Sequence, residues 1–323
     1  MKVQCELCPK ACVIQPGQSG ECRVRINIDG VLRTVVYAYP CSIHADPVEK
    51  KPLFHFLPGT RILSIATVGC NLHCKNCQNW EISQANPEQS QAYFYPPDKL
   101  VAAAVEYGFP SIAYTYTDPV VYYEYTYDTA KLARAQNIRT VLVTAAYISK
   151  EPWRRLLEFV DAANIDLKGI TDDFYRRVCS GTLKPVQQAL VLAKAAGIMV
   201  EVTNLIIPTL NDKPEHIRQL VQWVRRNLGS ETPVHFSRFS PRYKMRHLPP
   251  TSARTLELAR EIAMSEGMQY IYIGNIQSKE GQNTYCPACK KLLIERIGYT
   301  VLQNRLAEGC CPDCGTQIYG VWK

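Results

Sequence analysis

No stretch of this sequence approaches the roughly 18 apolar residues that a membrane-spanning helix needs. Its opening, Met1-Lys2-Val3-Gln4-Cys5, carries no apolar segment of the secretory-signal kind. Low-complexity tracts and fixed-period repeats are missing as well, which excludes disordered, collagen-like and solenoid architectures. Lysine and arginine are plentiful but never dense. Trp153-Arg154-Arg155 and Val224-Arg225-Arg226 fall on expected helices and read as solvated faces. The formal charge of +8 therefore lacks the concentrated basic stripe of a nucleic-acid reader, and nucleic acid is not the expected partner. These absences leave a protein expected in the cytoplasm and away from membranes.

In bulk the chain is ordinary. Of its 323 residues 46% are hydrophobic, 10% aromatic and 20% charged, enough for a sizeable core in one large domain with appendages, or in two domains. The exception is its 14 cysteines. They are too sparse for a disulfide scaffold, and in a reducing compartment clustered thiols serve metal or redox chemistry more often than bridges. Cys5, Cys8, Cys12 and Cys22 form one group, Cys70, Cys74 and Cys77 a second, and Cys286, Cys289, Cys310, Cys311 and Cys314 a third. Cys41 and Cys179 stand alone and read as small core residues.

Between Ile62 and Ile276 short β-branched or apolar runs alternate with helix-like segments, the rhythm of an α/β fold with a parallel sheet. Strands are expected at Ile62–Thr67, Ser111–Tyr116, Arg139–Thr144, Asn164–Lys168, Ile198–Ile207, Val234–Ser240 and Tyr270–Asn275. Helices are expected at Asp98–Glu106, Ser149–Val160, Pro185–Ala196, His216–Leu228 and Ser252–Glu266, with Gly197 and Gly229 as stops and Ser149 as an N-cap. Arg23–Tyr37 reads as a hairpin turning at Asp29-Gly30. The expected domains are an amino-terminal four-cysteine module over residues 1–45, a central body over 46–280 and a cysteine-rich tail over 281–323.

The first strand of the body runs into Gly69-Cys70-Asn71-Leu72-His73-Cys74-Lys75-Asn76-Cys77. Three thiolates at spacings of four and three can each bind one iron of a cube and leave the fourth iron open to a small chelating molecule. A structural zinc site would need a fourth ligand, and His73, beside Cys74, is the only nearby candidate. With this motif the chain resembles the radical S-adenosylmethionine (SAM) superfamily, whose C-x3-C-x2-C loop follows the first strand. It looks most like the activating-enzyme branch, and within that like the radical SAM proteins of the AmmeMemoRadiSam system. The closer likeness rests on Asp46-Pro47-Val48-Glu49-Lys50-Lys51-Pro52-Leu53-Phe54-His55-Phe56, on Cys77-Gln78-Asn79-Trp80, on Ala113-Tyr114-Thr115-Tyr116 and on His235-Phe236-Ser237-Arg238-Phe239. Two positions depart from the superfamily pattern: Asn76 stands where an aromatic residue is common, and Thr144-Ala145-Ala146-Tyr147 replaces a Thr-Asn-Gly turn.

The resemblance implies a partial (β/α)6 barrel carrying a [4Fe-4S] cluster on Cys70, Cys74 and Cys77. It implies reductive cleavage of SAM and hydrogen abstraction by a 5′-deoxyadenosyl radical. Working residues of a parallel barrel sit at the C-terminal ends of its strands. Asp118 before Pro119 resembles the stretch that binds the SAM amino group, and reads equally as an N-cap of a helix starting at Pro119. Asp166 and Lys168 share a strand face, placed like the SAM-contacting Asp-Leu-Lys of activating enzymes or paired with each other. Thr144, Thr203, Asn204 and His235 complete the candidate ligand set. The implied partners are a low-potential electron donor such as flavodoxin or ferredoxin, and either a glycyl-radical-type protein substrate or Memo and AMMECR proteins. The tyrosines from Tyr114 to Tyr127 are candidates for a peptide groove.

Cys286-x2-Cys289 and Cys311-x2-Cys314, 21 residues apart, have the spacing of a zinc ribbon. Its strands look too short to bury much, so metal is expected to supply most of its folding free energy. Cys5-x2-Cys8-x3-Cys12-x9-Cys22 offers four more soft ligands, with zinc the first expectation and an auxiliary iron-sulfur cluster the second. With such centres filled, +8 falls to roughly +3. The ribbon keeps a second reading open, a nucleic-acid-binding or RNA-modifying protein.

Overall fold

The computed structural model describes residues 1–323. The amino-terminal segment holds two hairpins, β1 (Val3–Gln4) with β2 (Val13–Ile14), and β3 (Arg25–Ile28) with β4 (Val31–Thr34). The second turns at Asp29 and Gly30, both at positive φ, as a tight two-residue turn requires. The next strand, β5 (Ser42–Pro47), is antiparallel to β6 (Arg61–Ala66) and opens the main sheet. Then follow β7 (Ser111–Tyr114), β8 (Arg139–Thr144), β9 (Ala162–Asp166), β10 (Met199–Ile206), β11 (Val234–Arg238) and β12 (Ile271–Gly274), all parallel. The sheet runs in sequence order from β5 to β12 and the two end strands do not pair, so the barrel is partial.

Helices α1 (Trp80–Ser83), α2 (Pro97–Glu106), α3 (Tyr123–Ala135), α4 (Lys150–Leu157), α5 (Asp172–Phe174), α6 (Leu183–Ala195), α7 (Pro214–Leu228) and α8 (Ala253–Ser265) form the connections. The longer ones bury one apolar stripe against the outer face of the sheet, as Ile217, Leu220, Val221, Val224 and Leu228 do on α7. Trp153 on α4 is fully buried, and its indole N–H donates to the Ala189 carbonyl of α6 at 3.0 Å. No helix is long and apolar enough to cross a membrane.

The tail is a three-stranded sheet, β13 (Thr284–Tyr285), β14 (Leu292–Ile297) and β15 (Thr300–Asn304). It is not a separate bead. Cys286, Leu293, Ile294, Cys311 and Ile318 pack with Phe54, Tyr270 and Tyr272 of the barrel. Arg296 reaches through this seam, donating to the Phe54 carbonyl at 2.8 Å and lying 3.6 Å from Glu49. The expectation that the tail's strands bury little is thus corrected by a core shared with the barrel.

Two further expectations change. The seven-strand reading omitted β5, whose sequence Ser-Ile-His-Ala-Asp-Pro alternates weakly and ends in proline. Of the tyrosines read as a candidate peptide groove, Tyr114, Tyr122 and Tyr125 have no exposed surface and belong to the core, whereas Tyr116 lines the cavity described below.

Candidate active site

The C-terminal ends of the parallel strands surround a cavity of about 830 Å3, the size of a cofactor pocket. β6 ends at Ala66, and Gly69, at φ 94°, bends the chain into the three-cysteine loop. Cys70, Cys74 and Cys77 all line the cavity. Three thiols are one ligand short of a closed structural zinc site and suit a cube that keeps one iron open. His73 does not supply a fourth ligand to the loop: its Nδ1 meets Gln84 Oε1 at 2.8 Å and its Nε2 faces Glu21 at 3.4 Å.

The loop is braced from behind. His73 N–H donates to the Cys179 carbonyl at 3.0 Å and Lys75 N–H to the Val178 carbonyl at 2.9 Å. Both acceptors lie in Tyr175–Cys179, a single wide π-helical turn. The Cys179 thiol neighbours Cys74 and lowers its pKa, so Cys179, read from sequence as a core residue and fully buried, sits beside a candidate ligand.

Asp118 is buried beside the cysteines, and burial raises its carboxyl pKa against the hydrogen bonds that lower it. Its Oδ1 accepts from Thr144 Oγ1 at 2.8 Å and from Val120 N–H at 3.1 Å, and its Oδ2 accepts from Ala145 N–H at 3.0 Å. It does not cap a helix at Pro119, because α3 begins only at Tyr123 with Tyr122 as its N-cap. Strand β9 ends at Asp166, two residues short of the expected end, yet Lys168 Nζ still donates to Asp166 Oδ2 at 2.7 Å. Burial would lower the Lys168 pKa, but Asp166, Cys74 and Cys179 outweigh it and hold the ammonium charged. Both residues line the cavity.

Thr203 lines the cavity, and its buried Oγ1 has no hydrogen-bond partner. Thr144 and His235 are also in the wall. His235 Nε2 is bonded to the buried Glu201 Oε2 at 2.6 Å. Asn204 is spent elsewhere, donating to the Leu167 carbonyl at 2.7 Å, and lies outside the lining.

Sequence reasoning missed one wall. Asp46, Lys51 and Tyr116 form a network in which Lys51 Nζ donates to Asp46 at 2.6 Å and the Tyr116 hydroxyl donates to the same carboxylate. Lys50 and Lys51 hold the Asp46 carboxyl well below its usual range despite burial. Burial in turn pulls the Lys51 pKa down to about 8. Lys50, Lys51 and Tyr116 all face the cavity. The signal was the run Asp46 to Lys51, in which two lysines follow an acid at positions that a short 3-10 turn folds back. Gly298 and Tyr299, from the turn between β14 and β15, complete the rim.

The residues that face this space therefore fit an iron-sulfur cluster with a charged organic ligand: three thiols, an acid, a paired ammonium and an orphaned hydroxyl.

Residues 64–224 match the family model described as the radical SAM superfamily. The chain is 48% identical over 319 residues to MJ0808, an uncharacterized protein of Methanocaldococcus jannaschii, covering 98% of this chain and 95% of that one. A pyruvate formate-lyase-activating enzyme of Clostridium pasteurianum is 24% identical, over 52% of this chain and 71% of its own length. Among solved structures, Streptococcus suis SuiB bound to S-adenosylmethionine superposes with a TM-score of 0.54 at 12% identity, over 71% of this chain and 53% of that one. A radical SAM methyltransferase from Sphaerobacter thermophilus gives a TM-score of 0.50 at 16% identity, over 73% and 71%.

Proposed function

The chain belongs to the radical SAM superfamily and is an enzyme of it, and from that premise we propose that Cys70, Cys74 and Cys77 hold a [4Fe-4S] cluster whose open iron chelates SAM. The observation that carries the proposal is that these three thiols open onto one cavity together with Asp118, Asp166, Lys168 and Thr203. The bound pair supplies reductive cleavage of SAM and hydrogen abstraction by a 5′-deoxyadenosyl radical. Lys168, kept charged by Asp166, suits the SAM carboxylate, and Asp118 suits its ammonium. Thr203 Oγ1 gains the partner it lacks, and Thr144 orients Asp118. His235, locked to Glu201, presents a fixed ring edge to the substrate side. Asn204 acts through the Leu167 carbonyl, bracing the turn that carries Lys168. The walls exclude water from the reacting bond.

The substrate is a protein or a small molecule, and the likeness to an activating enzyme favours a protein glycine. The likeness to the AmmeMemoRadiSam group favours a step shared with Memo and AMMECR partners. The electron comes from a low-potential donor of the flavodoxin or ferredoxin class in the reducing cytoplasm. For the tail we read zinc on Cys286, Cys289, Cys311 and Cys314, whose sulfurs stand 3.6 Å apart in the pairs Cys286–Cys314 and Cys289–Cys311. Ligands about 2.3 Å from a tetrahedral zinc stand about 3.8 Å from one another. Arg296 of this ribbon is buried in the barrel seam, which favours a wall of the enzyme over a nucleic-acid-binding module. Anaerobically reconstituted protein given dithionite and SAM is expected to form 5′-deoxyadenosine. No product above that of a Cys70→Ala/Cys74→Ala/Cys77→Ala control would sink the reading.

A further inference from the structure

One corner of the active-site cavity is left out of the SAM subsite. Lys50 and Lys51 line it beside Tyr116, and a second cavity of about 380 Å3 meets it there, sharing Lys50, Asn79 and Tyr116 with the first. Both ammoniums converge on one carboxylate. Lys50 Nζ donates to Asp46 Oδ1 at 2.8 Å and Lys51 Nζ to Asp46 Oδ2 at 2.6 Å, while the Tyr116 hydroxyl donates to the same Oδ2. Two cations therefore share one anion, and the corner carries an excess of positive charge. An ammonium has three N–H donors, and Asp46 takes one from each lysine. Two other acids of the wall have cations of their own and do not cancel the excess: Glu49 faces the Arg296 guanidinium at 3.6 Å, and Asp166 accepts from Lys168 at 2.7 Å. Lys51 is only 1% exposed, and a buried ammonium that shares its counter-charge with a second cation is costly. Burial, aided by Lys50, pulls its pKa down to about 8 against the pull of Asp46, as fits a charge that is incompletely matched.

We propose that Lys50 and Lys51 form an anion subsite for the substrate of the radical reaction, taking a carboxylate or phosphate group that completes their charge. The substrate class is thereby narrowed to molecules with an acidic group. That the bound molecule is the target of the radical rests on the radical SAM reading; that the corner holds an anion does not.

Position ties the corner to the chemistry. Tyr116 stands two residues before Asp118, the residue suited to the SAM ammonium, and adopts a φ of 61° that a bulky side chain rarely takes. Such a backbone persists where its surroundings fix it, and functional sites are where it gathers. Asn79, two residues beyond Cys77, donates to the Tyr116 carbonyl at 2.7 Å and faces both cavities. One hydrogen bond thus holds the lysine corner against the cluster loop. Lys50, with 45% of its side chain exposed, can meet an anion as it enters, and Lys51 lies behind it as the buried anchor. A substrate anchored there extends its remaining atoms into the space that Asp118 and Asp166 also face.

The test uses the full-length protein, reconstituted anaerobically and incubated with SAM, in equilibrium dialysis against labelled succinate and labelled inorganic phosphate. At least one of these anions is expected to bind saturably at one per chain, and neutral succinamide is expected not to compete; the tighter anion names the group. Lys50→Gln keeps the buried Lys51–Asp46 pair and removes the excess charge, so it is expected to weaken that anion at least about tenfold for the loss of one charge-assisted hydrogen bond. Lys50→Arg is expected to restore it. Lys99→Gln, an equal change of charge at an exposed position on α2, is expected to bind as the unmodified protein does. No saturable binding of either anion, or equal weakening by Lys50→Gln and Lys99→Gln, overturns the proposal. A Lys50→Gln protein that binds SAM more weakly and the anion unchanged also overturns it, because the lysines then serve the SAM carboxylate. Anion binding that Lys50→Gln weakens, in a protein that forms no 5′-deoxyadenosine, counts against the radical SAM reading alone.

Discussion

Thr203 Oγ1 is buried without a partner, and such an orphaned hydroxyl costs about 1–3 kcal/mol. Thr203→Val keeps the shape and removes the orphan. The ligand-free protein is then expected to melt at the same or a higher temperature, while SAM binds about fivefold more weakly for the loss of one neutral hydrogen bond. Equilibrium dialysis with SAM checks it, and unchanged affinity would remove Thr203 from the ligand set. His55 gives a second residue-scale expectation. Burial lowers its pKa from 6.5 to about 4, against the nearby Glu201 that raises it, with Arg296 and His235 also facing it. Its Nδ1 meets the Tyr319 carbonyl at 2.5 Å and its Nε2 the Tyr272 hydroxyl at 2.6 Å, a pairing that the neutral ring completes by donating at one nitrogen and accepting at the other. Between those two pH values the unfolded chain binds the extra proton, so stability contributed by His55 is full above about 6.5 and lost as pH falls to about 4. The loss is on the order of 3 kcal/mol. Unfolding free energies across this window should fall more steeply in the native protein than in His55→Gln, and equal slopes would refute the assignment. At this scale the sequence was legible where a rule ties position to direction. Asp166 and Lys168 share a side because strand side chains alternate, whereas the Tyr116–Asp46 bond joins residues 70 positions apart that no local period connects.

The elements of the barrel were readable because each parallel strand is buried on both faces and each helix carries one apolar stripe. Arg139–Thr144 was read to the residue, and α2 within one. The edge strand β5 escaped because its burial follows no alternation: Ile43, His44 and Ala45 are exposed in succession, and its one buried residue is the acid Asp46. Gly69 joins these elements, and both its positive φ of 94° and its lack of a Cβ are required, because Val24 Cγ1 would stand 2.7 Å and the Cys22 carbonyl 2.6 Å from any added Cβ. Backbone atoms cannot step aside as a flexible side chain can. Gly69→Ala is expected to cost at least about 1–2 kcal/mol from the left-handed backbone alone, with the displacement of the amino-terminal module added. Thermal unfolding and iron content after reconstitution measure the two effects, and native values for both would show that the contact yields.

Across the whole molecule the tail is coupled to the active site through one turn and one arginine. Gly298 and Tyr299 rim the cavity at one end of β14, while Cys286, just after β13, packs in the shared core. Arg296 lies between them, with its guanidinium set against Glu49 and the Phe54 carbonyl. Burial disfavours the Arg296 charge, opposed by Tyr272, Glu49 and Glu201, so removing those partners would leave a buried, uncompensated cation. Structural zinc in isolated fingers supplies about 10–16 kcal/mol of folding free energy. A metal on the four tail cysteines would share that burden with the apolar seam, so its loss is expected to loosen the tail without melting the barrel. Cys286→Ser/Cys311→Ser, or stripping with a strong chelator, should therefore raise amide exchange in β13 to β15 and leave β7 to β10 protected. Because the rim turn moves with the tail, SAM or substrate should also bind more weakly, although no ribbon ligand touches the cavity. Arg296→Met separates the two causes: it keeps the metal and removes the buried charge, leaving Glu49 unpaired. If that variant retains zinc yet reproduces the weaker binding, the arginine carries the coupling. If the metal-free protein exchanges no faster in its tail, the ribbon is held by packing and its thiols are free for other work.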